Sequence, residues 1–281
     1  MLQSSDVMVA CAGIPYTFRL NRSGRDRPQA VLWLHGSGPG VNALSNWAQM
    51  LELLEPDFDN IAPDVIGFGD STHPDPPPVG RKAFAELRVQ TLLALLDSLG
   101  LARVHVIGNS MGGSIALALA CAAPQRIGRM VLMGSGGAPL APTPMLKRLV
   151  GFYDDPTEQR MMELMQAFVH DPQAFGSDIA RIARDRMPMA LREDVRRSHL
   201  ATFAPGPSLN FTPQLLASIG HRTLVIHGAS DRIIPISASE YLANNLPTSR
   251  LKILEQAGHW LQIEQPTEFA AAVRSFLVES P

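Results

Sequence analysis

The chain has 281 residues, of which 46% are hydrophobic and 18% charged, and its formal net charge is −2. This composition excludes disorder for most of the chain, and it lacks the basic patches that nucleic-acid and anionic-membrane partners require. The two cysteines are too few for a disulfide framework, and no signal peptide or membrane span is recognised, so a cytoplasmic protein is expected.

The predicted strands are short apolar runs that end near glycine or proline, and helical stretches alternate with them. The strands are expected at residues 30–34, 61–63, 104–107, 129–133, 223–227 and 250–254. The helices are expected at residues 44–54, 81–99, 111–122 and 266–278. Continuously apolar strands indicate a sheet covered on both faces. The alternation therefore predicts an α/β fold with a mostly parallel central sheet flanked by helices.

One long segment interrupts this alternation. Residues 138–210 contain no convincing strand, but they show helical patterns at 145–153, 158–170 and 177–187. The pattern predicts a helical lid at 138–210, inserted between two strands of a core domain formed by residues 1–137 and 211–281.

The strongest local motif is GNSMGG at residues 108–113, which follows a predicted strand and begins a predicted helix. A nucleophile elbow requires this context, because its tight turn raises a serine hydroxyl above the end of the sheet. Small residues at positions 108 and 112 would let the strand and the helix approach each other. The motif predicts Ser110 as the nucleophile; the alternative is a glycine-rich turn with a bystander serine.

A serine hydroxyl is a weak nucleophile and needs a base, which in turn needs a carboxylate to orient it. His259 follows the predicted strand at 250–254, and Asp231 follows the one at 223–227. The order Ser110, Asp231, His259 is the order of α/β-hydrolases. We therefore predict these three residues as a catalytic triad.

A second glycine-rich turn, HGSGPG at residues 35–40, directly follows the strand at 30–34. A turn at this point supplies one backbone N–H to an oxyanion hole, and the residue after the nucleophile, Met111, supplies the other. Phosphate binding is the alternative for the glycines, but their spacing is not GxGxxG and no P-loop lysine follows.

Taken together, the motifs are typical of the α/β-hydrolase fold, and their details resemble the meta-cleavage product hydrolases. These are the carbon–carbon bond hydrolases of bacterial aromatic degradation. The resemblance lies in LHGSGPG followed by Ser45, Asn46 and Trp47, in GNSMGG, in GASDRIIP at 228–235, in GHW at 258–260, and in the lid segment 142–171. It spans almost the whole chain.

The resemblance implies a definite reaction. Such enzymes ketonise a 2-hydroxy-6-oxohexa-2,4-dienoate and cleave its C5–C6 bond, which gives a carboxylic acid and a 2-hydroxypentadienoate. No metal or organic cofactor is implied. Ser110 would be the nucleophile, His259 the proton shuttle and Asp231 its partner, with the N–H groups of Ser37 and Met111 holding the oxyanion. Covalent addition of the serine and assistance to a water molecule both stay open.

The resemblance also implies the substrate-binding residues. Asn46 and Asn109 match the family's asparagines, and Trp260 would flank the dienoate. Phe168 would line the pocket. For the carboxylate-binding arginine the lid sequence aligns on Arg184, with its neighbour Arg186 left open; the fork of an arginine suits a planar carboxylate. Relatives commonly form dimers or larger homo-oligomers, which we expect here.

Two other functions compete with this interpretation. A general carboxylesterase or lactonase would share the triad but would need no arginine for a dienoate. A non-catalytic ligand receptor on the same scaffold is disfavoured because no triad position is decayed. A haloalkane dehalogenase is disfavoured because its nucleophile is an aspartate, whereas this elbow carries Ser110. The substituent on C6 is not determined by the sequence.

Overall fold

Eight strands form one central sheet in a computed structural model, which describes residues 1–279. The strands are β1 (Gln3–Cys11), β2 (Ile14–Ser23), β3 (Ala30–Leu34), β4 (Asp59–Pro63), β5 (Val104–Asn109), β6 (Ile127–Met133), β7 (Thr223–Gly228) and β8 (Ser249–Leu254). Their order across the sheet is β1-β2-β4-β3-β5-β6-β7-β8. The pairs β1–β2 and β2–β4 are antiparallel, and all other neighbours are parallel.

Helices cover both faces of this sheet. They are α1 (Ala43–Leu53), α2 (Arg81–Ser98), α3 (Met111–Ala122), α4 (Pro144–Val150), α5 (Glu158–Phe168), α6 (Asp178–Ala190), α7 (Glu193–Phe203), α8 (Pro213–Ala217), α9 (Ile236–Asn245), α10 (Leu261–Glu264) and α11 (Pro266–Val278). Apolar side chains of α1 and α11 pack on one face, and those of α2, α3 and α9 pack on the other. The predicted α/β fold is confirmed.

Each predicted strand is present, and most extend one or two residues beyond the predicted ends. The antiparallel hairpin of β1 and β2 was not predicted. Its first strand lies at the edge of the sheet with most of its residues exposed, and Val9 is its only buried one. An edge strand of this kind lacks the continuous apolar run by which the central strands were recognised.

The insertion between β6 and β7 is helical, and residues 138–210 contain no strand. It contributes a third apolar cluster, which also includes Ile233, Ile234 and Trp260 from the core. Helix α7 was not predicted, and α6 runs through Pro188 to Ala190 rather than ending at Met187. Proline removes the hydrogen bond to the carbonyl of Arg184, which is on the exposed side of the helix, so water can replace that bond. The lid boundaries themselves remain a prediction.

Within residues 1–279, no helix combines the length and the apolar character needed to cross a membrane.

Candidate active site

Ser110 stands in the tight turn between β5 and α3. Its backbone has φ +53° and ψ −111°, a conformation that costs a non-glycine residue free energy and is found mainly at functional sites. The neighbouring glycines are required by close approach. A Cβ on Gly108 would lie 2.4 Å from the carbonyl of Gly112, and a Cβ on Gly112 would lie 2.1 Å from the carbonyl oxygen of Leu34. The predicted elbow is therefore present.

Asp231 and His259 meet at the ends of neighbouring strands. The Nδ1 of His259 lies 2.7 Å from Oδ2 of Asp231, and the other carboxylate oxygen accepts the N–H groups of Ile233 and Ile234 at 2.7 and 2.9 Å. Both side chains are buried. Burial acts to raise the pKa of the Asp231 carboxyl, but the charge and hydrogen bond of His259 outweigh it and leave that pKa below its ordinary value. The carboxylate is thus ionised at neutral pH and holds the imidazole.

The serine turn and the imidazole lie on either side of the end of β6. The N–H of Ser110 donates to the carbonyl of Met133 at 2.9 Å, and a Cβ on the next residue, Gly134, would be 3.0 Å from Nδ1 of His259. Within residues 1–279, neither the Ser110 hydroxyl nor Nε2 of His259 forms a hydrogen bond to a protein group. Both atoms are therefore available for a hydrogen bond to each other or to a substrate. Catalytic hydrogen bonds often tighten only when substrate binds.

The turn after β3 is held by buried polar side chains. The Nδ1 of His35 donates to the carbonyl of Gly36 at 2.7 Å, while its Nε2 accepts the N–H of Val65 at 2.9 Å. Burial lowers the pKa of His35 to about 4, so the ring is neutral at physiological pH. The N–H of Gly36 donates to Oδ1 of Asn46 at 2.8 Å. These contacts fix the backbone at Gly36, and the N–H group that follows it in the turn belongs to Ser37.

Ser37, Ser110 and Met111 line one cavity of about 320 Å³. Within the described chain, the N–H of Ser37 donates to no protein group, and Met111 opens α3, where the first N–H groups have no helical acceptor. The two predicted oxyanion residues are therefore brought together beside the serine hydroxyl.

Both predicted asparagines have partners inside the protein. Asn46 accepts from Gly36, as described above, and Nδ2 of Asn109 donates to the carbonyl of Met133 at 3.2 Å. The same asparagine lies close to the oxyanion turn, because a Cβ on Gly36 would be 2.6 Å from its Oδ1. Both asparagines thus position the two turns that face the cavity.

The lid arginine differs from the prediction. The side chain of Arg184 is 56% exposed and lies 4.0 Å from Glu158 on the surface, so the structure does not bring it into the site. Arg186 is 7% exposed, and its guanidinium carbon lies 5.0 Å from the ring centroid of Trp260. The buried face of α6 contains Ile179, Ala183, Arg186 and Ala190, a helical spacing that includes position 186 and not 184.

Arg186 also lies against the oxyanion turn. A Cβ on Gly40 would come within 2.5 Å of the carbonyl oxygen of Arg186. The Nε of this arginine is buried and has no hydrogen-bonding partner in the described chain, and no ion pair neutralises its charge. Burial lowers its pKa to about 10, which still leaves it charged. A buried cation of this kind is suited to an anionic ligand.

Trp260 and Phe168 form an aromatic wall beside the base. Their rings stack with centroids 4.7 Å apart and an interplanar angle of 9°, and the Phe168 ring lies 5.4 Å from that of His259. The N–H of Trp260 donates to the carbonyl of Phe168 at 3.0 Å, which joins the lid to the loop after β8. The structure therefore brings both predicted aromatic residues to the site.

Sequence reasoning missed Arg88. This residue of α2 is 2% exposed and lines the same cavity as Ser110 and Met111. The available signal was its position: it lies among Phe84, Val89, Leu92 and Leu95 on the buried face of a helix, where an apolar residue is expected.

The arrangement combines a strained serine, an imidazole held by an ionised carboxylate, two N–H groups without an acceptor among residues 1–279, and buried positive charge. Such a site can add a nucleophile to a carbonyl and stabilise the resulting oxyanion. No group of three or more metal-binding side chains occurs in the part of the chain that the structure describes.

The known proteins to which this chain is similar are hydrolases, and the family model that matches it describes the same fold. The family model described as alpha/beta hydrolase fold matches residues 29–266. The 2-hydroxymuconate semialdehyde hydrolase of Pseudomonas sp. strain CF600 is 35% identical over 267 residues, which cover 93% of this chain and 90% of that protein. The 2-hydroxy-6-oxo-2,4-heptadienoate hydrolase of Pseudomonas putida is 34% identical, covering 96% of this chain and 95% of that protein. The solved 2-hydroxy-6-oxo-6-phenylhexa-2,4-dienoate hydrolase from Rhodococcus sp. strain RHA1 superposes with a TM-score of 0.91 at 34% identity, over 99% of this chain and 100% of that one.

Proposed function

Because the chain belongs to the meta-cleavage product hydrolases of the α/β-hydrolase fold, we propose that it hydrolyses the C5–C6 bond of 2-hydroxy-6-oxohexa-2,4-dienoates. The observation that supports this reaction most is the buried Arg186 over Trp260, next to His259. A simple ester needs no such cation, whereas the dienoate carries a carboxylate.

The substrate would bind with its carboxylate at Arg186 and its conjugated chain along Trp260 and Phe168. We assign this role to Arg186 and not to Arg184, because Arg186 is buried and Arg184 is exposed. The C6 ketone would then lie at Ser110, and the C6 substituent would enter the cavity of about 320 Å³. Asn46 and Asn109 act by holding the turns on either side of the ketone.

The chemistry begins with ketonisation, in which the proton of the 2-hydroxyl is lost and C5 gains a proton. The oxygen nucleophile, either the Ser110 hydroxyl or a water held by it, adds to C6, and His259 takes its proton at Nε2. Asp231 keeps Nδ1 of that ring protonated and stabilises the imidazolium. The C5–C6 bond then breaks, and its electron pair forms the dienolate of 2-hydroxypentadienoate. The imidazolium of His259 returns its proton to this dienolate. When water is the nucleophile the carboxylic acid is released directly, and when Ser110 is the nucleophile a water hydrolyses the acyl-Ser110 ester, so that one water is consumed overall.

The oxyanion formed on C6 would be held by the N–H groups of Ser37 and Met111. Donors fixed before the reaction stabilise the transition state, and one such donor is worth about 3 kcal/mol. The neutral His35 and the acceptor Asn46 hold the Ser37 turn in place.

The reaction can be tested with coloured dienoates that carry hydrogen, methyl, isopropyl or phenyl at C6. We expect the visible absorbance of at least one to bleach with wild-type protein and not with Ser110→Ala, which should be slower by at least about 10³-fold. Identification of the carboxylic acid product would show which bond breaks.

Two outcomes would contradict the proposal. Cleavage of neutral aryl esters without bleaching of any dienoate would indicate a carboxylesterase. Tight binding of the dienoates without turnover of either substrate class would indicate a ligand receptor.

A homo-oligomer and a cytoplasmic location are proposals as well. Self-association is implied by the family resemblance alone, and the free thiols of Cys11 and Cys121 suit a reducing compartment. Size-exclusion chromatography with light scattering would measure the oligomeric state, and fractionation of the source cells would measure the location.

A further inference from the structure

Arg88 connects three separate parts of the site. Its Nε donates to the carbonyl of Ile66 at 3.0 Å, in the loop that follows β4. One terminal nitrogen lies 3.3 Å from Sδ of Met111, and the other donates to Oγ1 of Thr202 at 3.2 Å, in lid helix α7. The side chain therefore joins the residue after the nucleophile to the lid.

The charge of Arg88 has no carboxylate partner in the described chain. Its guanidinium carbon lies 4.5 Å from the ring centroid of Phe84 and 4.9 Å from that of Phe68. Burial lowers its pKa to about 9, so the group stays charged at neutral pH. Aromatic rings and neutral acceptors only partly offset the cost of burying a cation, and an apolar side chain of similar size would avoid that cost. A buried charge without a counter-ion among the described residues, in a cavity that contains the nucleophile, points to a functional role.

This cation and the place where negative charge develops during catalysis are linked through one residue, Met111. The oxyanion forms at the N–H of Met111, and the Met111 side chain contacts Arg88 directly. The cation also lines the cavity that contains Ser110. In a water-poor cavity, charges interact more strongly than in bulk water.

We propose that Arg88 is a positioning residue of the oxyanion hole, which holds Met111 through its side chain and stabilises the oxyanion with its buried positive charge. The proposal rests on the oxyanion role given above to Met111. It predicts that the effect of Arg88 is on kcat and that it does not depend on a carboxylate in the substrate.

The opposing interpretation is that Arg88 binds a carboxylate or another polar group on the substrate. The two interpretations predict different kinetics for a neutral substrate. A substrate-binding arginine would leave turnover of a neutral aryl acetate unchanged and would raise KM only for an anionic substrate. An oxyanion-positioning arginine would lower kcat for both.

The experiment compares Arg88→Met, Arg88→Gln and Arg88→Lys with the wild type on 4-nitrophenyl acetate. We expect Arg88→Met and Arg88→Gln to lower kcat by roughly 10- to 100-fold, with KM changed less than about threefold. Arg88→Lys, which keeps the charge, should recover most of that loss. Lys82→Met is the matched control, because it removes a positive charge from the exposed part of the same helix and should leave kcat unchanged.

A second measurement uses phenylboronic acid, which forms a tetrahedral anion on an active-site serine. Its inhibition constant should rise in Arg88→Met or Arg88→Gln by about the same factor as kcat falls. If Arg88→Met does not fold, Arg88→Gln provides the comparison, and thermal unfolding of each variant identifies a loss caused by instability.

Unchanged ester kcat in the uncharged variants would overturn the proposal, and so would an Arg88→Lys variant as slow as Arg88→Met. Either result would assign Arg88 to substrate binding or to packing. Because the ester assay needs only the serine chemistry, failure of carbon–carbon hydrolysis with dienoates would appear separately, as an active esterase that does not bleach them.

Discussion

The guanidinium of Arg186 lies over the indole of Trp260, with 5.0 Å between the guanidinium carbon and the ring centroid. The tryptophan directly follows His259, whose ring is hydrogen-bonded to Asp231. A lid helix and the loop after the last strand thus place a buried cation against the residue that directly follows the base. Cation–π contact is worth more at a desolvated site, and here it holds the arginine while its Nε has no acceptor among residues 1–279.

Replacement of this arginine should separate dienoate chemistry from ester chemistry. We expect Arg186→Met to lower kcat/KM for a dienoate by about 100-fold, because a charge-assisted hydrogen bond to the carboxylate is lost. Hydrolysis of neutral 4-nitrophenyl acetate should change less than about threefold. Steady-state kinetics on both substrates measure the effect.

Arg184→Met is the matched control for this prediction. Its side chain is 56% exposed and its ion pair with Glu158 is a surface contact, so dienoate turnover should be unchanged. A large loss in Arg184→Met with normal turnover in Arg186→Met would show that the lid rearranges on binding and that Arg184 binds the carboxylate.

Asn46 should act on the oxyanion turn rather than on one substrate class. Asn46→Ala removes the acceptor of the Gly36 N–H, and a buried donor without a partner costs about 1–3 kcal/mol. We expect kcat to fall roughly 10-fold for the dienoate and for the neutral ester alike, since both need the same oxyanion hole. Asn244→Ala, on the exposed side of α9, should change neither rate. A loss confined to the dienoate would instead identify Asn46 as a direct substrate ligand.

Gly112 should be required for folding as well as for the elbow. A Cβ at this position would lie 2.1 Å from the backbone oxygen of Leu34, which cannot move aside as a side chain could. We expect Gly112→Ala to lower the free energy of unfolding by about 3 kcal/mol or more, measured by urea denaturation. Gly220→Ala is the control, because no atom lies within 4 Å of its Cβ and its φ is not positive. That variant should stay within about 0.5 kcal/mol of the wild type.

His35 should make the protein less stable in acid. Its pKa is about 4 in the folded protein, against an ordinary value of 6.5, so the unfolded chain binds a proton that the folded chain does not. Stability from this group is complete above pH 6.5 and is lost as the pH falls towards 4, by about 2 kcal/mol at pH 5.

The measurement compares urea unfolding of the wild type and His35→Gln between pH 4.5 and 7.5. The difference between the two curves isolates His35, because both proteins contain the other titrating groups. Among these groups, His199 acts in the same direction as His35 and Asp64 acts in the opposite one. Burial lowers the pKa of His199 to about 4 and raises that of Asp64 to about 6. We expect the wild type to lose more stability towards acid than the variant. Parallel curves of stability against pH would contradict this prediction, because they would mean that His35 has the same pKa in the folded and the unfolded protein.

The amino-acid sequence by itself determined the parallel part of the central sheet, the order of the triad residues and the elbow. These features depend on local properties: apolar runs that mark buried strands, glycines where two backbones touch, and a serine, an aspartate and a histidine that each follow a strand. Parallel strands bring their carboxyl ends to one edge, so the meeting of Asp231 and His259 follows from the topology.

Tertiary structure alone decided which polar groups face the site. Arg184 and Arg186 are two residues apart on one helix; helical spacing places only Arg186 on the buried face, and packing against Gly40 and Trp260 decides what that face contacts. Arg88 was overlooked because its helix is apolar around it, and the value of its charge depends on Met111 and Thr202, which are distant in sequence. The edge hairpin of β1 and β2 likewise owes its structure to pairing with β4, not to a local apolar run. A local pattern specifies the backbone, but the burial of a charge depends on what packs against it.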